Sequence, residues 1–85
     1  MIFDIIFARS AERDLHRLAA ADQVRVDDAL AHLALTGQGD VRPLVGSPGE
    51  YRLRVGGIRV RYGIDRAAGT ILIQRILPRG CAYRD

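Results

Sequence analysis

The sequence predicts an α+β fold of order β-α-α-β-β-β, an N-terminal helical hairpin packed on a mostly antiparallel twisted sheet. Three observations carry this reading. A short run of β-branched and aromatic residues opens the chain. Hydrophobic residues then recur with helical spacing, and after residue 50 the spacing changes to alternation. At 85 residues the chain is expected to be a single domain, 1–85, whose core comes from one sheet and a few helices. Hydrophobic residues make up 48% and proline occupies only 3 positions, so the chain folds.

Ile2–Phe7 reads as the first strand. Ser10 is placed to cap a following helix, with Glu12 in its first turn, where the helix dipole favours an acid. Ala11, Leu15, Leu18 and Ala19 fall at i, i+4, i+7 and i+8, one stripe of an amphipathic helix. Asp22 is placed to cap a second helix, in which Val26, Leu30, Leu33 and Ala34 repeat that spacing until Gly37 and Gly39 end it. The short link Ala19–Asp22 makes the two helices an antiparallel hairpin.

Gly39–Glu50 reads as a loop anchored to the core by Leu44 and Val45. Tyr51, Leu53 and Val55 then alternate with Arg52 and Arg54. Ile58, Val60, Tyr62 and Ile64 alternate with Arg59, Arg61, Gly63 and Asp65. Gly56-Gly57 between the two runs reads as a two-residue hairpin turn. Arg66–Gly69 turns the chain into Thr70–Leu77, an apolar strand expected inside the sheet, and Pro78 stops it ahead of the tail Arg79–Asp85.

Composition excludes several classes of function. No apolar run approaches a membrane span, and Met1–Phe7 lacks the basic start and cleavage site of a signal peptide. The lone Cys81 cannot form an internal disulfide or a zinc site by itself, so the expected compartment is a reducing cytoplasm. It reads as an incidental thiol, with no histidine beside it to activate it. His16 and His32 fall on polar helix positions without a second ligand in register, and neither metal nor cofactor is expected.

Charge is more informative. The net charge is +3, and every basic residue is arginine. Residues 1–50 hold five arginines against eight acids, whereas residues 51–85 hold eight arginines against Asp65 and Asp85. Such a basic segment suits an anionic partner. With Gly56 and Gly57 as the loop, Arg54 faces Arg59 and Arg52 faces Arg61, which puts four arginines on one face of the hairpin. Tyr51, Leu53, Val55, Val60 and Tyr62 share the other face, and a one-residue slip would bury the arginines. Like charges so placed repel, which points to an anion site served by arginine's planar fork; a plain solvated face is the alternative. The tail adds Arg79, Tyr83 and Arg84. Tyr83 can stack on a base or pack on the core rim.

The run Tyr51-Arg52-Leu53-Arg54-Val55-Gly56-Gly57-Ile58-Arg59-Val60-Arg61-Tyr62, followed by Ile64-Asp65, Arg75-Ile76-Leu77-Pro78-Arg79 and Tyr83-Arg84, resembles the RelE/ParE toxin superfamily. The element order and length fit that resemblance over nearly the whole chain. It implies a RelE-like fold and a type II toxin held by a cognate antitoxin. RelE-type members cleave mRNA in the ribosomal A site without a metal, the ribose 2′-OH attacking the adjacent phosphate. Carried over, the resemblance implies catalytic roles for Arg52, Arg54, Arg59, Arg79 and Tyr83, with Arg61 and Arg84 as auxiliary RNA-binding residues. Arginine stays protonated, which leaves Tyr83 as the evident proton-transfer group. The alternatives are a ParE-like inhibitor of DNA gyrase without enzymatic activity, and a degenerate toxin that only binds its antitoxin.

Overall fold

The computed structural model describes residues 2–78. Among them the chain forms β1 (Asp4–Phe7), α1 (Arg9–Arg17), α2 (Ala20–Thr36), β2 (Val41–Pro43), β3 (Glu50–Val55), β4 (Ile58–Asp65) and β5 (Thr70–Leu77). The strands make one sheet in the order β1-β5-β4-β3-β2. Only β1 and β5 run parallel; the other neighbours are antiparallel. The expected α+β architecture is therefore present, with β5 inside the sheet.

Both helices cover one face of that sheet. Val26, Leu30, Leu33 and Ala34 of α2 and Ala11 of α1 pack on Leu53, Val60, Tyr62, Ile71, Ile73 and Ile76. Each fully buried large aliphatic side chain there contributes about 1.5–3 kcal/mol. The α2 stripe is buried as its spacing predicts, and Gly37 closes the helix at φ 73° with its N–H on the Leu33 carbonyl. The expected α1 stripe is cut short: the helix ends at Arg17, so only buried Ala11 and half-buried Leu15 lie on it, while Leu18 is its half-buried C-cap and the exposed Ala19 caps α2.

Several local expectations are corrected. The Gly39–Glu50 segment is not all loop, because Val41–Pro43 pairs with Tyr51–Leu53 as a fifth strand. A three-residue strand between glycines and prolines leaves no alternation to read, and Pro43 sits on the sheet edge, where its missing N–H is tolerated. Val45 does not anchor the core; it is fully exposed, while Leu44 is half-buried. Ser10 and Asp22 are not caps. The helices start at Arg9 and Ala20, and the capping positions are Ala8 and Ala19, neither with a side-chain bond. Ile2 precedes the strand and is exposed.

The β3–β4 turn behaves as expected. Gly56 takes φ 59° and Gly57 stays out of the positive region, the pattern of a turn whose first central residue is glycine. A Cβ at Gly56 would meet only Nη1 of Arg25, at 3.7 Å, an ordinary contact. Gly56→Ala is accordingly expected to lose about 1–2 kcal/mol through backbone strain alone, read as a lower urea midpoint with an unchanged m-value.

Candidate anion-binding face

The hairpin register brings the arginines together on the face the helices leave open. Arg54 pairs with Arg59 and Arg52 with Arg61 across β3 and β4. Flanking strands lengthen the second row: Arg42 of β2 pairs with Arg52, and Arg75 of β5 pairs with Arg61. Four arginines thus cross four strands in register, with cross-strand neighbours about 5 Å apart at Cβ. Arg42 and Arg54 are exposed; Arg52, Arg59 and Arg61 are half-buried. The Arg54–Asp40 contact, at 4.0 Å between two exposed side chains, is too long and too hydrated to neutralise the row. On the same face the next register line is Glu50, Gly63, Leu72 and Ile6, which puts an acid at its β3 end and the exposed Leu72 and Ile6 at its β5–β1 end.

One acid lies in the protein interior close to this row. Asp14 of α1 is buried, and Oδ2 accepts Nε of Arg75 at 2.8 Å and the N–H of Ile76 at 2.9 Å. Oδ1 accepts Nη2 of Arg75 at 3.3 Å. Burial alone would raise the Asp14 carboxyl. The Arg75 and Ile76 hydrogen bonds and the charges of Arg75 and Arg17 outweigh that and hold it below its ordinary 3.8.

Tyr62 lies on the opposite, core face, stacked on Tyr51 with ring centroids 5.6 Å apart. Burial pushes its hydroxyl up to about 12, with Tyr51 adding to the rise. It stays neutral and supplies no base to the arginine face. Since the unfolded phenol titrates near 10.0, its contribution to stability is complete below that pH and is lost as pH rises toward about 12. Tyr62→Phe is expected to remove this alkaline loss, seen as a flatter denaturation midpoint from about pH 10 to 12 and as disappearance of the latest-titrating tyrosine in ultraviolet absorbance.

Of the residues singled out in the sequence, Arg52, Arg54, Arg59 and Arg61 share the face, as expected. Arg79, Tyr83 and Arg84 lie outside the described residues, as does Cys81. His16 and His32 are exposed on the helices. Among the described residues no group of three or more His, Cys, Asp or Glu side chains could hold a metal ion. None of their helices is long and apolar enough to cross a membrane. Sequence reasoning gave Ser10 only as a helix cap and Arg75 only as part of the matching segment, and it assigned no role to Arg42 or Asp14. A signal for Asp14 was present: it lies three residues after Ala11, inside the buried stripe, where a carboxylate requires a partner.

The profile of the ParE toxin of type II toxin–antitoxin systems, parDE, matches residues 5–83. The chain belongs to this family. The fold agrees with solved RelE structures. The RelBE2 toxin–antitoxin complex of Mycobacterium tuberculosis superposes with a TM-score of 0.82 at 28% identity, over 93% of this chain and 100% of that one. The archaeal RelE–RelB complex of Pyrococcus horikoshii gives 0.80 at 26% identity, over 96% of this chain and 100% of that one. The isolated Escherichia coli RelE toxin gives 0.80 at 14% identity, a likeness of fold alone, over 91% of this chain and 84% of that one. Comparison with curated protein sequences gives no significant match. The protein is a type II toxin of the RelE/ParE superfamily.

Proposed function

We propose that this toxin is a ribosome-dependent mRNA endonuclease that arrests translation. Cleavage runs without a metal: the ribose 2′-OH attacks the neighbouring phosphate, and arginines take up the extra negative charge that develops there. The observation that carries this reading is the in-register set Arg42, Arg52, Arg61 and Arg75 beside Arg54 and Arg59, on the sheet face opposite the core, with Arg75 at its end held by Asp14 of α1. A sheet surface without a task gains nothing from opposed like charges, each pair costing up to about 1 kcal/mol. A phosphate between such pairs turns the repulsion into charge-assisted hydrogen bonds. In this scheme Arg52, Arg54, Arg59 and Arg79 stabilise the pentavalent phosphorus, and Arg61 and Arg84 hold flanking phosphates. Tyr83 stacks on the base or moves the proton, a role closed to the neutral Tyr62 on the other face. The cognate antitoxin silences the toxin by covering this face or displacing the tail, and the protein works in the cytoplasm.

A second reading is a ParE-like inhibitor of DNA gyrase without enzymatic activity. It is favoured by the family whose profile matches and by the absence of lysine or histidine among the arginines. Primer extension on programmed ribosomes separates the two. Breaks in the A-site codon with wild-type protein, lost with Arg79→Ala, are the expected result. Intact mRNA in the presence of folded protein would sink the nuclease reading and send the toxin to a gyrase supercoiling assay.

A further inference from the structure

Helix α1 meets strand β5 where β1 has ended. The last backbone bond of the parallel pair runs from the Ala8 N–H to the Ile73 carbonyl at 2.9 Å. Beyond it, side chains of α1 take over the edge of β5. Ser10 Oγ donates to the Gln74 carbonyl at 2.8 Å, and Asp14 accepts the Ile76 N–H at 2.9 Å. The register against β4 slips at the same place, since Tyr62 faces Ile73 while Arg61 faces Arg75, leaving Gln74 as the extra residue. The slip decides which side chains point where. Ile71 and Ile73 are core residues, so strict alternation would send Arg75 into the core and Ile76 to the open face. Instead Ile76 is buried, and Arg75 stands opposite Arg61 with its side chain 46% exposed.

We propose that Asp14, assisted by Ser10, is a positioning residue of the anion site: it holds the bulge at Gln74 and aims Arg75 into the arginine row as a phosphate contact. The inference rests on the phosphate-binding reading above. Asp14 grips Nε and Nη2 of Arg75 together, at 2.8 and 3.3 Å, which sets the plane of the guanidinium. Its second task, the Ile76 N–H, ties that grip to the backbone leading out of β5 toward Pro78. The carboxylate also offsets the repulsion between Arg75 and Arg61, letting both occupy one cross-strand pair.

Electrostatics and positioning predict opposite signs for one substitution. Asp14→Asn makes a protein of net charge +3 more basic, and simple charge attraction would then tighten RNA binding. The positioning role predicts weaker binding. The test is fluorescence anisotropy of the full chain with a short single-stranded RNA across a salt series, with folding checked by thermal denaturation. Asp14→Asn is expected to weaken binding about 10-fold and to lower the salt slope by about 0.7, one phosphate contact on a single strand. Arg75→Gln should show the same loss, Asp14→Asn should add nothing to it, and Asp14→Glu should recover part. Equal or tighter binding by folded Asp14→Asn with an unchanged slope would overturn the clamp while leaving the phosphate site standing. Should Asp14→Asn fail to fold, Arg75→Gln decides alone, and an unchanged affinity and slope there overturns the proposal. Absence of RNA binding by the wild-type chain overturns the phosphate-site reading and the clamp with it.

Discussion

Replacing Arg52 with glutamine is expected to slow A-site cleavage about 10²–10³-fold without weakening the fold. Loss of one preorganised donor to a developing oxyanion has that size, because the rest of the site cannot move to replace it. The stability half of the expectation comes from the neighbours. Arg52 stands between Arg42 on β2 and Arg61 on β4, so each of its cross-strand partners is a like charge. Removing the middle cation relieves two repulsive pairs, and the protein should be as stable as wild type or more stable by up to about 2 kcal/mol. Primer extension on programmed ribosomes reads the first effect, and the urea midpoint reads the second. A slower enzyme with a lower midpoint would assign Arg52 to the fold, and undiminished cleavage would remove it from the site.

Asp14→Ala is expected to destabilise the toxin by about 3 kcal/mol, among the largest effects of any single substitution. The carboxylate is buried and satisfies the Ile76 N–H, whose removal from any partner costs about 1–3 kcal/mol. Its other partner, Arg75, keeps 46% of its side chain in solvent, so the ion pair contributes toward the low end of the range for buried pairs. In a domain this small, 3 kcal/mol corresponds to roughly 12–24 °C in melting temperature. The effect has a pH signature. Because the folded carboxyl titrates below its ordinary 3.8, its contribution is complete above about pH 4 and is lost as pH falls through the folded value. The difference between wild type and Asp14→Ala should therefore be largest at neutral pH and narrow in acid. Parallel melting curves from pH 2 to 7 would show the mutation acting elsewhere.

The hairpin was legible in the sequence because its determinants are local. Gly56 and Gly57 sit between two alternating runs, and burying Leu53, Val60 and Tyr62 allows only the register that lines up Arg52 with Arg61. The same holds for the α2 stripe, where four apolar residues at helical spacing had one way to be buried. Ser10 shows the limit of such reading. Its position before a helical stripe signals a cap, yet its hydroxyl bonds the Gln74 carbonyl, 64 residues away. Asp22 likewise lies inside the first turn of α2 rather than ahead of it.

From the sequence alone, then, the chain is an α+β domain with a helical hairpin, a meander and arginines gathered on one face of β3 and β4. Turn chemistry and hydrophobic periodicity act between near neighbours and need no partner from elsewhere. The tertiary structure alone decided that β2 joins the edge, that β1 runs beside β5, and that the arginine row extends from Arg42 to Arg75. It also decided that Arg75 escapes the core. Strand alternation would bury it; the bulge at Gln74 reverses the parity, and Ser10 and Asp14 pair with the backbone there. Those bonds join groups more than 60 residues apart, a distance at which no periodicity in the chain carries the information.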